Sequence, residues 1–134
     1  MAGTFLLEIA TPERLLFHDQ ASEAQIPAAN GYLGILPEHS PVLAELGTGE
    51  LTFVVGGRRQ SLAIDGGWVE VLPDHVRVLA NHAERASEID IQRAQEALHR
   101  AQERLGHPVP DMDVARALNA LKRAQARLAS AEHR

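Results

Sequence analysis

Along roughly the first 83 residues the apolar side chains come in short runs of four to six. Thr11-Pro12, Asn30-Gly31, Gly56-Gly57, Asp65-Gly66-Gly67 and Pro73-Asp74 interrupt them. Runs separated by turn chemistry in this way predict many short strands closing on one another, as a sandwich or a small barrel. LTFVV (51–55), WVEVL (68–72) and HVRVL (75–79) are rich in Val, Leu and aromatic residues, which suit a half-buried pleated surface. In the last two, Glu70 and Arg77 are expected to alternate outward. Aromatics make up only 4% of the chain, so Val, Leu and Ile must build this core.

From Ser87 onward the period changes from two to between three and four. Ile91, Ala94, Leu98, Ala101 and Leu105 form one apolar stripe, and Val114, Ala117, Leu121, Ala124, Leu128 and Ala131 form a second. Between them lies GHPVPD, where Gly106, Pro108 and Pro110 cannot continue a helix and Asp111 can cap the next one. Two helices joined by so short a turn are expected to pack as antiparallel neighbours. Ser87 followed by Asp90 resembles a capping box at the start of the first helix, which accounts for Asp90 without any ligand. The chain is therefore expected to divide into a strand-rich domain, a sandwich or small barrel, at 1–84 and a helical hairpin at 85–134.

Charge sharpens this division. A formal net charge of -5 and a pI near 5.8 argue against nucleic acid as a partner, since binding phosphates needs a basic footprint. Residues 1–83 carry four basic and ten acidic side chains, whereas residues 84–134 carry nine and eight. Within 116–134 the count is five basic (Arg116, Lys122, Arg123, Arg127, Arg134) against one acidic (Glu132), which points to an acidic partner for the last helix. With Ile91 and Val114 as heptad position a, Arg93, Arg100, Arg116 and Arg123 fall at c, and Arg104 and Arg127 at g. Both helices thus carry an arginine edge beside the packing seam, and Asp90 lies on that edge. Packed side by side, they could set several guanidinium groups around one anion with bidentate geometry. The plain alternative is that these arginines cover apolar surface with their stems and leave their heads in water.

Catalytic motifs are missing. There is neither a G-x-x-x-x-G-K-[ST] loop nor a G-x-G-x-x-G, Lys122 is the sole lysine, and the seven histidines are scattered without H-E-x-x-H spacing. With no cysteine, neither a disulfide framework nor a thiolate metal site is possible. No apolar stretch reaches the roughly 20 residues a membrane-spanning helix needs, and the N-terminus lacks an apolar run of signal length, so a soluble, cytosol-side protein is expected.

The order of these pieces resembles the epsilon subunits of F-type ATP synthases. GYLGILPEHSPVL (31–43) is similar to the family's G-x-L-G-[IV]-x-P-x-H-x-P-L segment. IDGGWVEVLPDHVRVLANHAERASEID (64–90) is similar to its S-G-G-x-x-E-V-x-P-x-x-V-T-V-L-A-x-x-A-E-R segment. The resemblance covers essentially the whole chain. It implies a ten-stranded β-sandwich that docks on the gamma subunit and the rotor ring (c-ring), followed by two helices that either fold down as a hairpin or extend along gamma and brake ATP hydrolysis. It implies a non-catalytic regulatory subunit, peripheral on the cytoplasmic face of a bacterial cell membrane, with no required cofactor and no metal. Ile89-Asp90-Ile91-Gln92-Arg93-Ala94 matches the [IL]-D-x-x-R-A motif of members that bind ATP, and Glu84, Arg100, Arg123 and Arg127 match further residues of that site. The resemblance thus implies ATP as a regulatory ligand, the alternative being a purely structural coupling subunit that does not sense ATP. It also implies a rotor-ring and gamma interface at Asn30, Gly31, Tyr32 and His39, where Tyr32 stands in place of the acidic or polar residue of some members. Arg116, Lys122, Arg123 and Arg127 would contact the catalytic beta subunits, with alpha nearby, when the helices extend.

Overall fold

A computed structural model describes residues 3–133. Arg134, the last of the basic residues counted above, lies outside that range. Seven strands are present among the described residues: β1 (Phe5–Ala10), β2 (Leu15–Ala21), β3 (Glu23–Ala28), β4 (Gly31–Ile35), β5 (Val42–Val55), β6 (Arg58–Val71) and β7 (His75–Arg85). They form one sheet in the order β2-β1-β7-β6-β5-β3-β4, in which β1 and β7 run parallel and the other neighbours antiparallel. The sheet closes over a single core to which every strand contributes, among them Phe5, Leu7 and Ile9 of β1, Ile26, Ile35, Leu51, Ile64, Val69 and Val71, and Val76 and Val78 of β7. As the composition requires, branched aliphatics fill it.

The strand count corrects the expected ten. Thr11-Pro12, Gly56-Gly57 and Pro73-Asp74 do lie between strands and Asn30-Gly31 spans the entry to β4, but Asp65-Gly66-Gly67 sits inside the 14-residue β6. Its backbone has positive φ at Gly66 (72°) and Gly67 (120°), and the neighbouring β5 passes the same level at Gly47. On either side of these glycines the inward parity changes: Leu62 and Ile64 are buried before them and Val69 and Val71 after, while on β5 Leu46 gives way to Leu51 and Phe53. Both strands therefore turn a corner without ending, as strands do when they pass from one layer of a sandwich to the other. Segments that look like separate short strands in sequence are continuous through the corner.

After β7 a single 3-10 turn (Ala86–Glu88) leads into α1 (Ile91–Gly106) and α2 (Val114–Ala131). The seam between the helices is made of the buried d-position alanines Ala94, Ala101, Ala117, Ala124 and Ala131, with Leu98, Leu105, Leu121 and Leu128 half-buried beside it. Ile91 and Val114, in the first turns, remain exposed. α2 also packs on β5 and β6, where Ala126 and Ala131 bury against Ala63 and Ile89.

Two caps differ from expectation. Asp90, not Ser87, is the N-cap of α1, its carboxylate accepting from the Arg93 N–H at 3.1 Å. Ser87 is taken up in the 3-10 turn, where Glu88 instead accepts from the Arg85 N–H at 2.8 Å. Asp113, not Asp111, caps α2 through the Arg116 N–H at 3.0 Å, because an N-cap needs an extended backbone and Asp111 is left-handed at φ 66°. Arg14, in the β1–β2 turn, clamps this linker by donating to both oxygens of Glu88 at 2.7 and 2.8 Å and to the Ala83 carbonyl at 3.3 Å.

Two predictions follow from this packing. A Cβ on Gly67 would lie 2.1 Å from the Leu79 carbonyl oxygen and 2.8 Å from Ala80 Cα, so Gly67→Ala must force β6 from β7. It should cost about 3 kcal/mol or more, whereas Gly56→Ala, left-handed but with open space around it, should cost about 1–2 kcal/mol. Equal melting temperatures for the two variants would contradict the corner. For the clamp, the Arg14 side chain and then the Arg85 N–H hold the Glu88 carboxyl at about 2, below its ordinary 4.5. A lowered pKa in the folded state adds stability that is complete above about pH 4.5 and lost as the pH falls toward 2. Because the pair is more than a third exposed, Glu88→Gln should cost no more than about 1 kcal/mol at neutral pH. Thermal melts of the two proteins should converge on acidification, and a difference constant down to pH 2 would rule the clamp out.

Candidate functional site

The end of β7, the linker and the facing sides of both helices enclose a groove of about 460 Å³, lined by Glu84, Glu88, Asp90, Arg93, Ala94, Ala97, Arg100 and Arg127. Each element delivers its residues for a local reason. Capping by Asp90 starts α1 at the groove, so the N-terminal end of that helix, with its partial positive charge, opens there. The 3.6-residue period then stacks Arg93, Ala97 and Arg100 along one edge of α1. From the opposite wall Arg127 of α2 donates through Nε to Glu84 Oε1 at 2.5 Å.

Of the eight residues expected at an ATP site, six line this groove: Glu84, Asp90, Arg93, Ala94, Arg100 and Arg127. Ile89 does not. Its side chain is 2% exposed and packs with Ala63, Ala126 and Ala131, so it anchors the linker instead. Arg123 lies next door, 4.0 Å from Asp65 Oδ2, in an adjoining recess of about 310 Å³ that shares Glu84 and Arg127 with the groove. The pattern missed Glu88, whose carboxylate is held ionised by Arg14 from 74 positions away.

Electrostatically the groove is uneven. Glu84 is engaged by Arg127, Glu88 by Arg14 and Arg85, and Asp90 by the first turn of its own helix. Among the described residues, no ion pair holds the side chain of Arg93 or Arg100. Two guanidinium groups thus face a groove whose carboxylates are already partnered. That arrangement can receive an anion and offers no nucleophile and base pair for catalysis.

The other expected sites are spread over the surface. Asn30 lies in the β3–β4 turn and Gly31 starts β4. Tyr32 is more than half exposed and its hydroxyl accepts from the Glu50 N–H at 3.2 Å, beside Lys122 of α2. His39 belongs to the β4–β5 loop, which is tied to the β6–β7 turn by the Glu38 N–H donating to the Pro73 carbonyl at 2.8 Å. Of the basic residues of α2, Arg116 and Lys122 are exposed, whereas Arg123 and Arg127 turn toward acidic residues of the chain's own sheet.

Comparison with known proteins agrees with this architecture. Residues 4–86 match the family model described as ATP synthase, Delta/Epsilon chain, beta-sandwich domain, and residues 87–132 match its long alpha-helix domain. The chain is 56% identical over 108 residues to the ATP synthase epsilon chain of Solibacter usitatus, covering 81% of each sequence. It is 52% identical over 111 residues to that of Koribacter versatilis, covering 83% of this chain and 78% of the relative. A chain in the cryo-EM structure of the Euglena gracilis mitochondrial ATP synthase (OSCP/F1/c-ring, rotational state 1) superposes with a TM-score of 0.82 at 22% identity, covering 99% of this chain and 84% of that one, and shares the fold. With both domains matched in sequence order and relatives identical at more than half of the aligned positions, the chain belongs to the bacterial ATP synthase epsilon-chain family.

Proposed function

We propose that this chain is a non-catalytic regulatory subunit of the F-type ATP synthase central stalk, and that the groove between its linker and its hairpin binds ATP. The observation that carries the ligand is the pair of guanidinium groups, Arg93 in the first turn of α1 and Arg100 about two turns further along the same edge, without carboxylate partners among the described residues. A polyphosphate there would meet cations from α1 and, through Arg127, from α2, so binding favours the folded hairpin over any state in which the helices part. Ligand at one hundred times its dissociation constant would favour that state by about 2.7 kcal/mol. The alanine seam buries little apolar area, so such a bias is enough to decide between folded and extended helices.

In this reading the sandwich docks on gamma and the c-ring. On its outer face Trp68 is paired directly with Leu79 and lies diagonal to Leu43, and all three are exposed, an apolar surface suited to a stalk partner. The extended helices would bring Arg116, Lys122, Arg123 and Arg127 to acidic surfaces of the beta and alpha subunits and brake hydrolysis. The assembly would place the chain peripherally on the cytoplasmic face of the cell membrane. A second reading, structural coupling without ATP sensing, draws support from Asp90 and Glu84, each of which already has a structural partner.

Calorimetric titration with ATP separates the two. Arg93→Ala should weaken binding by about 1.5–3 kcal/mol, the scale of a hydrogen bond to a charged group. Arg58→Ala, at the first residue of β6 and away from the groove, should leave it unchanged; equal affinities would favour the structural reading. For the brake, hydrolysis by reconstituted complexes should be released in an Arg123→Ala/Arg127→Ala double variant and should lose its dependence on ATP binding by this subunit. Inhibition as strong as in the parent at low salt would show that these arginines do not form the brake.

A further inference from the structure

The last two turns of α2 are held to the sheet by contacts outside the groove. Ser130 is fully buried, and Ser61 on β6 is nearly so. Their hydroxyl oxygens are 2.9 Å apart, Ser61 Oγ lies 2.7 Å from Glu50 Oε2 on β5, and His133 Nδ1 lies 2.5 Å from that same oxygen. Proton inventory sets the direction of this chain. An ionised carboxylate only accepts and each hydroxyl has one proton, so Ser61 donates to Glu50, its Oγ accepts from Ser130, and His133 donates through Nδ1–H. One carboxylate thus gathers a sheet hydroxyl, a helix hydroxyl behind it, and a ring from beyond the helix end.

Its surroundings distinguish this cluster from the other links between helix and sheet. The Glu50 side chain is only 17% exposed, whereas the Arg127–Glu84 pair has 39% and 36% exposed and Arg123 reaches Asp65 only at 4.0 Å. Hydrogen bonds to a shielded charge are stronger than screened surface pairs, and linked hydroxyls reinforce one another. The apolar contact alongside is made by Ala63, Ile89, Ala126 and Ala131, mostly single methyl groups.

We infer that Glu50, Ser61, Ser130 and His133 form a latch that keeps the C-terminal end of α2 on the sandwich, and that release of the hairpin begins by opening it. The inference rests on the reading that the helices leave the sandwich. It is independent of nucleotide, because none of the four residues lines the groove. Latch and ligand then act on the same equilibrium through separate contacts.

Amide hydrogen exchange on the full chain, without nucleotide, tests it. In Glu50→Ala the amides of 114–133 should exchange about tenfold faster or more, the scale of a lost hydrogen bond to a charged group, and in Ser130→Ala, which loses a bond between hydroxyls, about threefold faster or more, while β1 and β7 keep their protection. Glu132→Gln, exposed and next to His133 in sequence but outside the hydrogen-bond chain, should behave as the parent. Unchanged helix exchange in both variants overturns the latch. So does equal acceleration in β1 and β7, which marks general destabilisation. ATP titration of the parent stands apart: helix-selective exchange in a protein that fails to bind ATP keeps the latch and discards the nucleotide reading.

Discussion

Of the glycines in the chain, Gly67 is the most tightly enclosed, the space a Cβ would fill being already taken by the main chain of Leu79 and Ala80. That contact lets β6 lie against β7 where β5 and β6 turn the corner, and the rest of the molecule depends on it. The corner converts one seven-stranded sheet into a closed layer pair around Leu7, Ile64, Val69 and Val76, so no separate second sheet is required. It also sets the outward directions of Glu50, Asp65 and Glu84, on three adjacent strands, toward the place where α2 lies. A glycine is needed because a positive φ of 120° and the missing side chain are needed together.

On that platform α2 has two faces to satisfy. One, through Ala117, Ala124 and Ala131, meets α1; the other, through Arg123, Ala126, Arg127 and Ser130 at spacings of three and four, meets the sheet. Both use small side chains. Close approach without large apolar burial makes an interface that is well defined in geometry and modest in free energy, which suits the release of the helix proposed above. The polar contacts therefore weigh more here than in the sandwich core, where aliphatic burial decides stability.

Acidic sandwich and basic terminal helix also meet within one chain. The excess positive charge of α2 is met in this conformation in part by the molecule's own sheet, through Glu84 and Asp65. An external acidic surface must compete with these pairs. An anion in the groove, as proposed, would draw on Arg127 as well, the side chain that already holds α2 to the sheet through Glu84.

Much of this was present in the order of residues. Strand-like runs, four of the five turns, both helices with their alanine seams and the arginine edge of α1 follow from local rules of period and turn chemistry, which act over a few residues. The six groove residues are named through the family resemblance, and of these the residue pattern by itself marks Asp90, Arg93, Arg100 and Arg127 as charged edges beside the helix seams. Contacts between distant segments were not. Gly66-Gly67 reads locally as a turn, and only the proximity of β7 makes it a corner inside a strand. The Arg14–Glu88 clamp, the burial of Ile89, the displacement of Arg123 toward Asp65 and the serine pair 69 positions apart arise when the sheet closes and α2 settles on it. Sequence pattern determines what each segment can become. Which side chains meet is decided by packing, because closure of the chain brings together groups that no local periodicity relates.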